Sequence, residues 1–474
     1  MFKVKLGLLV VYLLFLESSL ILSTTAFRVG KDRTVTKTKV LILGGGLSGI
    51  TAAKTLLDNN IKDFYILEGQ DYIGGRIHAT QFEGVTIEEG ANWLHSLDEE
   101  LSARFLKWKT DKSMEGIWCN YSDFIIRDEN GFDVTDWKLA RKFQEEIVEN
   151  LEDVLWARKR KNMPDIPARV GLQLMGWRSD KPIEKALEYF AFDFEHAKPL
   201  ELVSYYELFT RGQDFFVSDQ RGLWSLYENL YKPVNERVLL QRTVERIKYS
   251  DHSVVIQTEN KETFVADYAL CTFSTGVLAS GSVTFNPPLP QWKQEAIYKN
   301  PMSVYTKIFL NFPSKFWDDN EYILYASKRR GYFPVLQNME KEGLLPNGTN
   351  VLLVTVTGDE GRRIEGQTYK ETKKEIMKTL RKIYGANIPD PTAIFYRRWS
   401  KDPFTRGAYS EPVVGMTPQD FSNLAENLGR LYFAGEATSK DWYGYMQGAY
   451  FTGKKQGQRI ADDFLQKKLE RNEL

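Results

Sequence analysis

A short apolar run, Thr38-Lys39-Val40-Leu41-Ile42-Leu43, leads directly into Gly44-Gly45-Gly46-Leu47-Ser48-Gly49 and then into a helical pattern through Leu57. A second apolar run, Phe64-Tyr65-Ile66-Leu67, follows and ends in Glu68. No other feature constrains the chain as strongly. A Gly-x-Gly-x-x-Gly turn between a strand and a helix, with an acid about 20 residues further on, opens a dinucleotide-binding α/β domain. Each residue type has a task. Gly44 permits the tight turn, Gly46 lets the backbone approach a pyrophosphate, and Gly49 lets the helix pack close to the strand. The helix N-terminus offers N–H donors and positive potential to phosphates. Glu68 can accept both hydroxyls of an adenosine ribose and would repel a phosphorylated one, which points away from NADP.

The rest of the chain bounds what such a domain can be attached to. At 474 residues there is room for two or three domains. Lys plus Arg and Asp plus Glu number 63 each, which argues against a broad nucleic-acid surface but not against a local charged pocket. The basic stretch Ala157-Arg158-Lys159-Arg160-Lys161 follows acids between Glu145 and Asp153 and reads as a solvated helix of mixed charge, with a nucleic-acid or wall-binding patch as the alternative. Four His and two Cys at these spacings assemble no zinc-like cluster, so no metal site is expected. Aromatic residues at 13% permit a tunnel with ring-lined walls. The segment Asn286 to Pro290 reads as a turn between a strand and a helix.

The N-terminus reads as an address. Lys3 and Lys5 precede an apolar run from Leu6 to Leu16, and Ser23-Thr24-Thr25-Ala26 supplies small residues for cleavage. Residues 1–26 are expected to be a signal peptide, with an uncleaved anchor as the alternative. Glu17 interrupts the run, and the uninterrupted part is too short to span a bilayer at about 1.5 Å per residue. No membrane span is expected after cleavage. The sequons Asn120-Tyr121-Ser122 and Asn347-Gly348-Thr349 agree with secretory entry. The expectation is a secreted, extracellular protein. Arg471-Asn472-Glu473-Leu474 resembles a Lys-Asp-Glu-Leu signal, so retention in the secretory pathway stays open. Whether Cys119 and Cys271 pair is not readable.

Other blocks narrow the nucleotide. Gly74-Gly75-Arg76 follows Glu68 closely, and near the C-terminus Leu431-Tyr432-Phe433-Ala434-Gly435-Glu436 reads as a buried strand, with a helix from near Gly448 through Ile460. This combination resembles the flavin-containing amine oxidases. Gly90-Ala91-Asn92-Trp93, Val217 to Gly222, Val304 to Leu310, Leu324 to Ser327, Val351 to Thr357, Tyr443-Gly444-Tyr445 and Gly448-Ala449-Tyr450 resemble plant-type polyamine oxidases, collinearly from Lys37 to Phe464.

The resemblance implies an α/β fold. A discontinuous Rossmann-like FAD-binding domain would occupy 37–115, 212–303 and 397–466. An α+β substrate-binding domain with a mixed sheet would occupy 116–211 and 304–396, with 467–474 as a tail. It also implies a monomer that takes a polyamine and dioxygen. A secondary amine of spermine or spermidine would be oxidised to an aminoaldehyde and a shorter amine, with release of hydrogen peroxide. Lys307 matches a lysine that holds a water against the flavin, and a Lys on such an apolar strand is costly unless used. Trp399 and Tyr445 match aromatic residues flanking the flavin, Tyr305 a tunnel wall, and Val244 the segment that meets the adenine. Arg76 and Glu436 are implied at the phosphate-rich part of FAD, and Phe404 along the substrate slot or in the core. No Cys stands near Asp441 to Tyr445, so FAD is expected to be non-covalent.

Two positions depart from or extend the pattern. His95 stands where cereal-type enzymes carry an acid, and it can hydrogen-bond a neutral amine or titrate near neutral pH. Glu195 is the candidate substrate anion, although neighbouring Lys198 would repel a polyamine if it faced the tunnel. The rival readings are an L-amino-acid oxidase with Arg397 or Arg398 as carboxylate clamp, a monoamine oxidase, and a non-catalytic polyamine or FAD carrier.

Overall fold

The computed structural model describes residues 35–97, 102–208 and 212–472. The leader at 1–26 and the final Glu473-Leu474 lie outside the described residues. Val40, Leu41, Ile42 and Leu43 are fully buried. A strand buried on both faces belongs inside a parallel sheet. Val35–Leu43 accordingly pairs in parallel with Phe64–Leu67 on one side and Thr263–Cys271 on the other. Helix Leu47–Asp58 makes the crossover between the first two strands.

The full sheet has eight strands. Thr284–Asn286, Val244–Tyr249, Val254–Thr258, Thr263–Cys271, Val35–Leu43, Phe64–Leu67 and Val238–Leu239 follow in spatial order, and Leu431–Phe433 also pairs with Thr263–Cys271. The C-terminal helix Met446–Asn472 returns onto the first helix. Two glycines make that approach possible. A Cβ on Gly453 would lie 2.2 Å from the Ser48 carbonyl oxygen, and one on Gly457 would lie 3.0 Å from Ala52 Cα. The helix passes beyond the expected end at Ile460, because nothing after that residue breaks it, and residues 467–472 extend it rather than form a separate tail.

The second sheet has six strands in the order Ala393–Phe395, Tyr305–Asn311, Val351–Thr357, Val335–Asn338, Tyr322–Ala326 and Phe124–Asp128. Its pairs are antiparallel except Tyr322–Ala326 with Phe124–Asp128, so the sheet is mixed. Every residue of Val351–Thr357 is buried, because both faces are covered. Helix Tyr369–Tyr384, started by a Thr368/Glu371 capping box, packs its apolar stripe on one face. Helices Glu149–Arg160, Ala168–Leu174 and Pro182–Glu188 contribute to the core on the other.

A small sheet ties the expected units together. Phe215–Val217 pairs with both Trp93–Leu94 and Gly116–Trp118, so the expected boundary at 116 runs through a hydrogen-bonded sheet. Among the described residues no helix is long and apolar enough to cross a membrane.

Candidate active site

One cavity of about 870 Å³ runs from the glycine loop to the six-stranded sheet. At its nucleotide end, Gly44 has φ +112°, a conformation that needs glycine, and a Cβ on Gly49 would lie 2.0 Å from the Gly44 carbonyl oxygen. Gly46 differs. Its backbone is extended, with φ −74° and ψ 178°, and a Cβ there would meet nothing closer than 4.0 Å. Glu68 Oε2 accepts from Gly45 N at 2.6 Å and Oε1 from Gln70 N at 2.8 Å, which locks the acid to the loop. Ser48 Oγ, in the first turn of the helix, is buried and has no hydrogen-bond partner. Room for a Cβ in front of Gly46, an orphan hydroxyl at a helix N-terminus and a fixed acid at the end of the second strand fit a dinucleotide. Val244 lines the same end.

Phe404 stands here too. A Cβ on Gly69 would come within 2.3 Å of its ring, so Phe404 covers the residue after Glu68, and it lines the cavity. The cause is the Asp402 turn, whose carboxylate accepts from Phe404 N at 2.9 Å.

Arg76 and Glu436 both line the cavity and bind each other at 2.8 Å. Both Glu436 oxygens are in use: Ser410 Oγ and Gly444 N donate to Oε2, Arg76 and Ser410 N to Oε1. Glu436 therefore clamps the 435–445 segment to the cavity wall.

At the other end stands Lys307, on Tyr305–Asn311 and 4% exposed. Its Nζ donates to Asn92 Oδ1 at 2.9 Å, and Asn92 Nδ2 donates to Val217 O at 2.7 Å. Burial holds Lys307 well below its ordinary pKa, against the attraction of Glu88 and Glu89. Burial likewise pushes Glu88 up, and its Oε2 has no partner. Trp399 is buried against this end, its Nε1 donating to Glu89 O at 3.1 Å. Tyr305 packs on Trp93, Phe194 and Tyr409.

The structure brings Glu195, Tyr445 and His95 to one wall. Tyr445 Oη donates to Glu195 Oε1 at 2.6 Å, and the His95 and Tyr445 rings are 4.7 Å apart. Lys198 does not oppose them. Its Nζ donates to Glu411 O at 2.9 Å and Pro412 O at 2.6 Å, and burial lowers its pKa to about 8. Further wall residues had no sequence signal beyond their type: Glu207, accepting from Tyr443 Oη at 3.2 Å, and Glu411, paired with His196 at 2.9 Å.

Arg397 and Arg398 are not available as a carboxylate clamp. Arg397 pairs with Asp402 at 2.6 Å and Glu89 at 3.3 Å; Arg398 donates to Gln367 O at 2.9 Å and lies over Tyr369. Neither lines the cavity. Cys119 and Cys271 are unpaired, and neither lines the cavity.

The chain belongs to the flavin-containing amine oxidoreductases, whose profile matches residues 47–108 and 169–461. It is a FAD-dependent amine oxidase, and with no cysteine at the cavity its FAD is non-covalent. It is similar to polyamine oxidase 1 of Zea mays, 36% identical over 468 residues that cover 92% of this chain and 93% of that protein. Polyamine oxidase 6 of Oryza sativa subsp. japonica is 38% identical over 445 residues, covering 88% and 89%. Lysine-specific histone demethylase 1 homolog 1 of Arabidopsis thaliana is 28% identical over 458 residues, 89% of this chain but 52% of that protein. The solved structure of wild-type putrescine oxidase bound to putrescine shares the fold, with TM-score 0.71 at 15% identity over 90% of this chain and 99% of that one.

Proposed function

We propose that this enzyme oxidises a secondary amine within spermine or spermidine. The observation that carries the reading is the Glu195 carboxylate, held by Tyr445 in a wall of aromatic rings on the cavity that Lys307 also lines. A distal ammonium gains a charge-assisted hydrogen bond from Glu195 and cation–π contacts from Tyr305 and Tyr445. The relatives named polyamine oxidases support the same class. Arg397 and Arg398, the pair considered as a carboxylate clamp, are held by internal partners away from the cavity, which weakens the amino-acid reading.

Bound FAD supplies the two-electron oxidant, and dioxygen restores it with release of hydrogen peroxide. This chain's residues do the rest. The low-dielectric wall disfavours a second charge, so the reacting nitrogen is held neutral and its lone pair can form the C=N bond as the adjacent C–H bond breaks and its electron pair leaves to the two-electron oxidant. Lys307, its pKa lowered by burial so that the uncharged amine becomes accessible, holds or accepts a proton beside Asn92. Water then adds to the C=N carbon, and C–N cleavage gives an aminoaldehyde and the shorter amine.

Peroxide release and product masses after incubation with spermine in air test the reading. Spermine turnover is expected, and Glu195→Gln is expected to raise KM by about tenfold, the cost of about 1.4 kcal/mol in binding, with kcat nearly unchanged. FAD-loaded protein that makes no peroxide from any polyamine would sink the proposal.

We also propose secretory entry. The leader-like N-terminus motivates it, and both sequon asparagines, Asn120 and Asn347, are exposed. Protein recovered from the medium of a eukaryotic host is expected to lose mass on enzymatic deglycosylation. Retention of the protein inside the cytosol without glycan would overturn this.

A further inference from the structure

Trp93–Leu94 pairs antiparallel with Phe215–Val217, Trp93 opposite Phe216 and Leu94 opposite Phe215. Carried one residue further, that register sets His95 opposite Asp214. The side chains meet there, with Nδ1 of His95 3.2 Å from Oδ2 of Asp214. Both are mostly buried, at 19% and 15% side-chain exposure.

Asp214 is held from three further directions. Ser96 N donates to its Oδ1 at 3.0 Å, Tyr121 Oη to its Oδ2 at 3.1 Å, and Cys119 N to its backbone oxygen at 2.9 Å. Burial alone would raise the Asp214 carboxyl, but His95, Ser96 and Tyr121 together hold it below the usual range. It stays an anion and accepts only. An acceptor 3.2 Å from Nδ1 favours hydrogen there, which leaves the lone pair on Nε2 of a ring that lines the cavity.

From this geometry we infer that Asp214 is a positioning residue: it holds His95 as the Nδ1–H tautomer so that Nε2 accepts an N–H of the amine substrate. The substrate half rests on the polyamine-oxidase reading. Among the described residues, the charged groups acting on His95 are Asp214, just before the central strand of the small sheet, and Glu195, from helix Phe194–His196. The Tyr445 ring packs on His95, and Tyr121 reaches the same Asp214 oxygen. Burial opposes a charge on His95, yet the two carboxylates outweigh it and raise its pKa. Neutral His95 is the accepting form, so substrate affinity falls as pH drops through that raised pKa. Removing the Asp214 charge moves the fall to lower pH.

Imidazole 15N NMR of the FAD-loaded protein tests the arrangement without substrate; the His95→Gln variant assigns the signal. Neutral His95 is expected as Nδ1–H in the wild type. In Asp214→Asn the Nε2–H form should grow and ionisation should move to lower pH, whereas Asp214→Glu should restore Nδ1–H. An Nε2–H wild type, or an unchanged tautomer and ionisation in Asp214→Asn, overturns the inference. In kinetics, Asp214→Asn is expected to shift the acid limb of kcat/KM downward and raise KM about tenfold, with kcat within about twofold. In the His95→Gln background the same change should add nothing further. Additive losses would overturn the coupling. Absence of peroxide from FAD-loaded wild type with every polyamine overturns the amine as the ligand of His95; the NMR signature decides the Asp214–His95 arrangement separately.

Discussion

Lys307→Met is expected to lower kcat/KM for amine oxidation by about 10²- to 10⁴-fold, the range for losing a positioned proton-transfer group. The variant should fold and keep its FAD. Lys307 stands on a strand whose neighbours Thr306, Ile308, Phe309 and Leu310 are all buried, opposite Thr355 of the adjacent strand. Its amine makes one hydrogen bond, to Asn92, and burial holds it below its ordinary pKa. A structural lysine so placed would be a poor choice, because an apolar residue of similar length avoids the desolvation cost. Met fills the same volume, so the melting temperature should stay equal or rise.

The sign of the pH effect follows from that lowered pKa. The uncharged amine becomes populated nearer neutrality, so the wild-type rate should rise with pH through the Lys307 ionisation, and Lys307→Met should flatten that limb. Lys307→Arg should not rescue, since a guanidinium stays charged. Stopped-flow reduction under anaerobic conditions and steady-state peroxide release both read the effect. A loss under about threefold with full flavin content would make Lys307 structural, because even a modest proton-transfer role contributes more than that.

What the sequence disclosed depended on whether the determinant was local. The glycine loop was readable because its requirements belong to single residues: a positive φ at Gly44, and a backbone contact at Gly49 that any Cβ would block. The apolar runs around it could be placed as strands for the same reason. The role of Lys307 was not readable from its own strand. An isolated Lys suits a half-exposed strand equally well, and only the packing of both sheet faces buries it. The resemblance supplied what periodicity could not.

The His95–Asp214 pair left no trace in the sequence. It exists because a two-residue strand adopts one register with a partner more than a hundred residues away. Glu195 was half legible, since its charge suits the substrate class but its hold by Tyr445 is a long-range contact. Arg397 and Arg398 show the opposite failure. Two adjacent arginines suggest an anion site, yet each is spent on internal partners that only the fold brings near.

Gly46→Val separates the cofactor's needs from those of the protein. The variant is expected to purify without colour, with FAD affinity weakened at least ~100-fold, which is about 2.7 kcal/mol. Its apo form should match the stability of the wild-type apo form to within about 0.5 kcal/mol. The backbone at Gly46 is extended and open to any L-residue, and a Cβ would meet nothing of the protein closer than 4.0 Å. Nothing inside the chain therefore demands glycine at this position. The space in front of it, beside the unpartnered Ser48 hydroxyl and the first turn of the helix, is demanded by a ligand. Valine's two methyls would occupy it and keep phosphate oxygens from the helix N-terminus.

Gly49→Ala makes the contrast. Its Cβ would lie 2.0 Å from the Gly44 carbonyl oxygen, so the apo protein itself should lose stability. Flavin absorbance per protein and apo-protein melting curves read both variants without any assay of activity. A Gly46→Val protein that carries flavin at the wild-type ratio would mean that the phosphates do not approach this turn, and the cofactor's path along the cavity would have to be redrawn. A colourless Gly46→Val protein with a wild-type apo melting curve would place the dinucleotide's phosphates at the Gly46 turn, because the fold alone gives no reason for glycine there.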